Sequence, residues 1–106
     1  MKKENVLLIV RKEPGKDATV DYIENRLEVF QAAVGGYIET VTVAEDLVLI
    51  LNEEGRIQGL PFNTTVLGMP LVGTVIAVGV KGDEFASVKG SYVSMVLRML
   101  NKGAER

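Results

Sequence analysis

The residues of this chain that could do chemistry are acids, arginines and amides. Histidine and cysteine are both absent. That removes the imidazole base, the thiol nucleophile and the usual zinc ligands together. Glu53 and Glu54 are adjacent carboxylates. Such a pair does acid–base work when both groups point into one cleft, whereas neighbours at a hairpin tip point apart into water. Glu45 and Asp46 form a second acidic pair in a polar turn, and no ligand spacing of an oxygen-only magnesium site appears. Ser87, Ser91 and Ser94 have no histidine partner, and no Ser-x-x-Lys arrangement supplies a lysine base. Helix caps and surface positions account for them. Gly35-Gly36 and the pair Gly79 and Gly82 match neither a phosphate loop nor a dinucleotide fingerprint. A helix stop and a turn are the better readings.

Arg56, Phe62 and Asn63 are the more interesting group. A guanidinium offers a planar donor fork for phosphate or carboxylate, a phenyl ring a stacking face, and an amide a means of reading a base or sugar edge. A pocket assembled from them would suit a nucleotide-like ligand. The plainer alternative makes Phe62 core, Asn63 a loop cap and Arg56 the partner of a nearby acid. Arg98, Lys102 and Arg106 recur every fourth residue, a basic stripe that either meets an anion or balances a helix dipole.

These residues must be positioned by a small scaffold. The chain has 106 residues, 47% hydrophobic and 25% charged, which suits one domain over residues 1–106 with its own core. The net charge of −2 lacks the basic excess of nucleic-acid binders, so nucleic acid is not the expected partner. The first residues carry a basic tip and an apolar run that Arg11, Lys12 and Glu13 interrupt too soon for a signal peptide. The most apolar window, 71–80, is too short to span a bilayer, which takes about 20 helical residues. A cytoplasmic protein with no membrane partner is expected.

Val6 to Val10 reads as a buried strand closed by Pro14-Gly15. Val20, Ile23, Leu27, Phe30 and Val34 recur at helical spacing and predict a helix. Asp17 or Thr19 would cap it, Asp21 and Glu24 would suit the positive end of its dipole, and Gly35 or Gly36 would end it. Tyr37 to Val43 alternates as a strand, and Leu47 to Leu51 is another. Asn52-Glu53-Glu54-Gly55 would turn the chain into a short return strand, Arg56-Ile57-Gln58. Residues 59–70 read as irregular because Pro61 and Pro70 cannot donate to a ladder. Leu71 to Val80 follows as a strand, with Gly73 and Gly79 as bulge or close-approach points, and Lys81-Gly82-Asp83 as a turn. A last helix begins near Ser87, with Val88, Tyr92, Met95, Val96 and Met99 on one face. The tail frays from about residue 101. The order β-α-β-β-β-β-α predicts an α+β fold, a small mostly antiparallel sheet with about two helices on one face.

Several segments in this order resemble the family named domain of unknown function 3846. They are Leu27-Glu28 with Gln31, Val34-Gly35-Gly36-Tyr37-Ile38-Glu39, Asn52-Glu53-Glu54-Gly55, Gly59-Leu60-Pro61-Phe62-Asn63 and Leu71-Val72-Gly73-Thr74. The resemblance runs from about residue 5 to 88 and picks out Gly35, Gly36, Tyr37, Glu39, Asn52, Glu53, Gly55, Pro61 and Asn63. Such domains occur in phages, plasmids and other mobile elements of bacteria. The resemblance therefore implies an accessory protein of such an element, with antagonism of host defence as one version.

The resulting expectation is a non-catalytic binding protein without cofactor or metal. Its ligand would be a nucleotide-like small molecule or a host protein, held by Tyr37, Glu39, Asn52, Glu53, Arg56, Phe62 and Asn63. The alternative is a protein–protein interaction module or a homo-oligomeric accessory protein with no small-molecule ligand, and self-association is expected in either case. In that version Met95 and Met99, with Val93 and Leu100, give the last helix surplus apolar surface. An enzyme using Glu53 or Glu39 as base is a lesser possibility.

Overall fold

A computed structural model describes residues 5–105. The basic tip at residues 1–4 and Arg106, the last member of the basic stripe, lie outside them. The class is α+β: every strand pairing is antiparallel, and two helices pack on the main sheet.

Strand β1 (Val6–Lys12) forms a hairpin with β2 (Thr19–Glu24). Helix α1 (Leu27–Val34) follows, then the hairpin β3 (Ile38–Ala44) and β4 (Leu47–Asn52). A second, separate two-stranded sheet is formed by β5 (Phe62–Val66) and β6 (Met69–Val72). Strand β7 (Val75–Lys81) returns to the centre, between β1 and β4, and β8 (Glu84–Ala86) folds back on it. A single 3-10 turn leads into helix α2 (Val93–Gly103). The main sheet runs β2-β1-β7-β4-β3, with β8 beside β7.

The strand period of two divides the core. Leu47, Leu49 and Leu51 of β4 join Val75, Ala77, Val96 and Leu100 on one face. Val48 and Ile50 join Ile76, Val78, Phe30 and Val34 on the other. Strands β4 and β7 are thus covered on both faces, which explains their unbroken apolar runs. The two helices, expected on one face, divide between them: α1 takes one, and α2 with the β5–β6 hairpin takes the other.

Four expectations are corrected. The helix from Val20 begins only at Leu27, because Thr19–Glu24 pairs with β1 in continuous register. Val20 and Ile23 fit a helical spacing, but the neighbouring strand offers residues 19–24 a full ladder and the helix starts beyond it. Asp17 and Thr19 therefore cap nothing, and Asp21 lies 3.7 Å from the Arg11 guanidinium. The helix ends at the expected glycine: Gly35 is left-handed, φ 82°, and donates to Gln31 O. The return strand Arg56-Ile57-Gln58 is a series of turns, with Gln58 N donating to Glu54 O and Leu60 N to Gly55 O. Residues 59–70, expected irregular, contain β5, a tight turn at Leu67-Gly68 with φ of 51° and 76°, and β6. Pro70 is tolerated there because β6 has a partner on one side only. The strand expected over 71–80 is broken at Gly73, which ends β6 and starts β7.

The C-terminal end also differs. Helix α2 begins at Val93 rather than near Ser87, whose hydroxyl accepts from Leu8 N. Asn101, expected to fray, is helical and its side-chain oxygen accepts from Ala18 N at 2.7 Å. Leu100 is fully buried, and Val93 and Met99 pack on the core. The surplus apolar surface expected of this helix reduces to Met95, 41% exposed.

Helix α2 meets β5 closely. Thr64 Oγ1 donates to Leu100 O at 2.7 Å, and a methyl group at Gly103 would collide with Thr65 O and Thr64 Oγ1. Backbone cannot yield as a side-chain end can. Gly103→Ala should therefore destabilise by about 1–3 kcal/mol, despite alanine's better helix propensity. Urea unfolding of the variant checks this, and a gain in stability would show that the contact is looser than described.

Candidate functional site

The β5–β6 hairpin shares no backbone ladder with the main sheet, so side chains must hold it there. Asn63, 1% exposed, does most of this. Its Nδ2 donates to Lys12 O and to Gly73 O, both at 2.7 Å. Its Oδ1 accepts from Lys12 Nζ at 3.0 Å. Lys12 is itself 2% exposed and also reaches the Asn63 and Glu13 carbonyls, each at 3.4 Å. Burial pushes the Lys12 ammonium below its usual value, while the charge of Asp17 pulls the other way. Asn63 is therefore a framework residue, with its amide facing protein rather than solvent.

Asn52 plays the same part at the far end of β4. It is 4% exposed. Its Nδ2 donates to Val34 O and Gln58 Oε1, each at 3.1 Å, and its Oδ1 accepts from Glu54 N at 2.8 Å. One amide thus satisfies the C-terminal end of α1 and fixes the turns of residues 53–59. This is also why those residues do not return as a strand.

Between these two anchors lies a cleft of about 410 Å³. Glu39 and Val41 of β3 line one side, the loop residues Glu53, Arg56 and Ile57 one end, and residues 68–72 the other side, with Leu51 and Leu71 beneath. Glu39 and Glu53 share a face. Glu39 is paired with Leu51, and Glu53 follows two residues along the same direction, which sets the carboxylates as diagonal neighbours. Arg56, for which an acidic partner was the plainer expectation, instead donates from Nη2 to Pro70 O at 2.6 Å. It braces the free edge of β6 across the cleft mouth. Ile57 is 85% exposed and Met69 38%, so the rim is apolar as well as acidic.

Of the expected contact residues, the cleft gathers Glu39, Asn52, Glu53 and Arg56. Tyr37 is exposed on the approach to β3, and its carbonyl accepts from Glu53 N. Phe62 is half-buried at the start of β5, and neither it nor Asn63 lines the cleft. Val41, Ile57 and the β6 wall were missed. The signal for Ile57 was present, a large aliphatic among Glu, Arg, Gln and Gly, but a return strand absorbed it.

The family profile described as Domain of unknown function (DUF3846) matches residues 5–101, nearly the whole chain. The chain belongs to the DUF3846 family. No curated protein and no solved structure matches it. In this DUF3846 domain no helix among the described residues is long and apolar enough to cross a membrane, and no three acidic side chains among them gather as a metal-binding group.

A second, more open depression, of about 640 Å³, lies at the β3–β4 turn. Lys89 pairs with Asp46 there and sits 5.6 Å from the Tyr92 ring centre, and Tyr92 OH donates to Asp46 at 3.4 Å. The hydrogen bond from Lys89 holds the Asp46 carboxyl below its ordinary value, and the same bond raises Lys89. This pair ties the turn to the entry of α2.

Two outcomes follow for this framework. Asn63→Ala leaves a buried ammonium and two carbonyls short of partners and should cost about 3 kcal/mol or more, against about 1–3 kcal/mol for Lys12→Met, which orphans mainly the Asn63 oxygen. Equal losses in chemical denaturation would show that the amide is not the centre of the network. For Asp46 the folded-state value is depressed, so its contribution is complete above the unfolded value near 3.9 and lost as pH falls through the folded one. The stability gap between wild type and Asp46→Asn should be open at neutral pH and close in acid; a gap that persists at low pH would assign the effect to packing.

Proposed function

We propose that this chain is a non-catalytic binding module of a phage or other mobile element, and that the cleft between β3, the 53–57 loop and β6 receives a segment of a host protein. The carrying observation is the cleft's lining: an apolar floor, an exposed aliphatic rim at Ile57 and Met69, and two carboxylates with one guanidinium already bonded to the protein's own backbone. An acidic, apolar groove suits a protein chain. It suits a phosphate poorly, since Glu39 and Glu53 oppose an anion. Of the seven contacts expected for a nucleotide-like ligand, Tyr37, Phe62 and Asn63 do not line the cleft, which leaves it without an aromatic face for a base. The lack of cysteine and histidine supports a role without catalysis. The mobile-element setting, and antagonism of host defence as its purpose, enter through the family resemblance.

Two measurements on protein expressed in a bacterial host test this reading. A photo-crosslinking residue at position 57 should capture a discrete protein partner, and the capture should vanish when Glu39→Lys and Glu53→Lys are added. Native mass spectra should show no retained small molecule. A nucleotide-sized mass kept by wild type and lost in Arg56→Ala would overturn the proposal in favour of a small-molecule binder. The same spectra report self-association, for which β2 offers an open edge with Val20 and Tyr22 exposed; a dimer mass abolished by Tyr22→Glu would assign that edge to a second copy.

A further inference from the structure

Resting on that reading, we infer that the cleft takes its partner as an extended segment added to the edge of β3, with a lysine or arginine placed against Glu39 and Glu53. Strand β3 is the last of its sheet and pairs only with β4. The direction of its free backbone groups follows from one bond. Glu53 N donates to Tyr37 O at 2.8 Å, and the register advances without a break from Ile38↔Asn52 to Thr42↔Val48. Bonded and non-bonded pairs alternate in an antiparallel ladder. Glu39 and Val41 therefore direct their N–H and C=O groups to β4, and Ile38, Thr40 and Thr42 direct theirs to the open side. That row is a template for another strand.

The side chains give the template a sense. On the cleft face β3 presents Glu39 and then Val41, beside Glu53. An added strand would set one residue directly beside Glu39, with Glu53 one strand spacing (about 4.8 Å) further across β3 and within reach of a long basic side chain, and the next residue on that face, two positions along, beside Val41. A basic residue followed two positions later by an apolar one satisfies both. Arg56 does not neutralise the acids, because its bonded group is on Pro70 O. The reach is short: the register shifts between Thr42 and Ala44, and a bulge ends regular pairing there.

Selection from a displayed library of random peptides of about ten residues, followed by binding of the synthetic winners, tests this inference. The winners should carry Lys or Arg two positions from a β-branched or aromatic residue. Binding should slow hydrogen exchange at the Ile38, Thr40 and Thr42 amides. Glu39→Lys with Glu53→Lys should weaken it about tenfold or more, by charge reversal. Thr40→Pro should abolish it, since it removes an outward donor while sparing the ladder to β4; its circular dichroism and melting curve establish that it still folds. Winners that lose affinity in Ile57→Asp but leave those three amides unchanged would overturn strand addition while leaving the cleft as the site. Winners indifferent to both Ile57→Asp and the charge reversal would overturn the cleft as well. A library without winners would overturn the extended segment, and crosslinking from position 57 then decides the broader reading alone.

Discussion

A two-stranded hairpin must be held to a sheet with which it shares no ladder, and the amide of Asn63 is the interaction that does it. An unpaired backbone carbonyl in a buried site costs on the order of 1–3 kcal/mol. The end of β1 and the break at Gly73 each present one, and Asn63 Nδ2 answers both. The amide oxygen then needs a donor, and Lys12 supplies it from the same strand whose carbonyl is being satisfied. The network closes on itself. A lysine in an apolar core is normally unfavourable; here its ammonium sees three oxygens, and its burial is the cost of fixing the hairpin in one orientation.

That orientation creates the cleft. With β5 anchored to β1 on one side and to α2 through Thr64 on the other, β6 stands away from β3 rather than pairing with it. Had β6 joined the sheet, the edge of β3 would be closed and the groove filled. Arg56 spans the gap at its mouth, and Asn52 fixes the loop that carries Arg56 and Ile57. The site is thus assembled from two amide-centred networks, one around Asn63 and one around Asn52.

Much of the scaffold was legible because it rests on local patterns. The apolar runs of β1 and β4, the alternation of β3 and the Gly35 stop all depend on residues close in sequence. The failures share another cause. Thr19–Glu24 obeys a helical spacing and becomes a strand only because β1 lies beside it. Residues 59–70 read as irregular from their prolines, although Thr64-Thr65-Val66 and the Leu67-Gly68 turn carried a hairpin signal. For the site, the matched motif residues Asn52 and Asn63 turned out to be the two anchors. Sequence cannot tell an amide that reads a ligand from one that reads a backbone carbonyl, since the chemistry is the same and only burial separates them.

The two open edges of the main sheet differ in what they permit. An unprotected edge invites pairing with another copy of the same chain. On β3, an added copy of the same strand would gather the Glu39 and Glu53 carboxylates of both molecules around one apolar strip, and like charges so placed repel. The same acids attract a basic segment of different sequence. The bulge beyond Thr42 also shortens the strip, which limits the area available for sheet extension but not for a brief segment wedged against β6. Strand β2 has no such wall beside it and exposes Val20 and Tyr22. Its Asp21 is already engaged with Arg11, leaving less charge to discriminate. The edge that can choose its partner by charge is therefore the one that lies along the cleft.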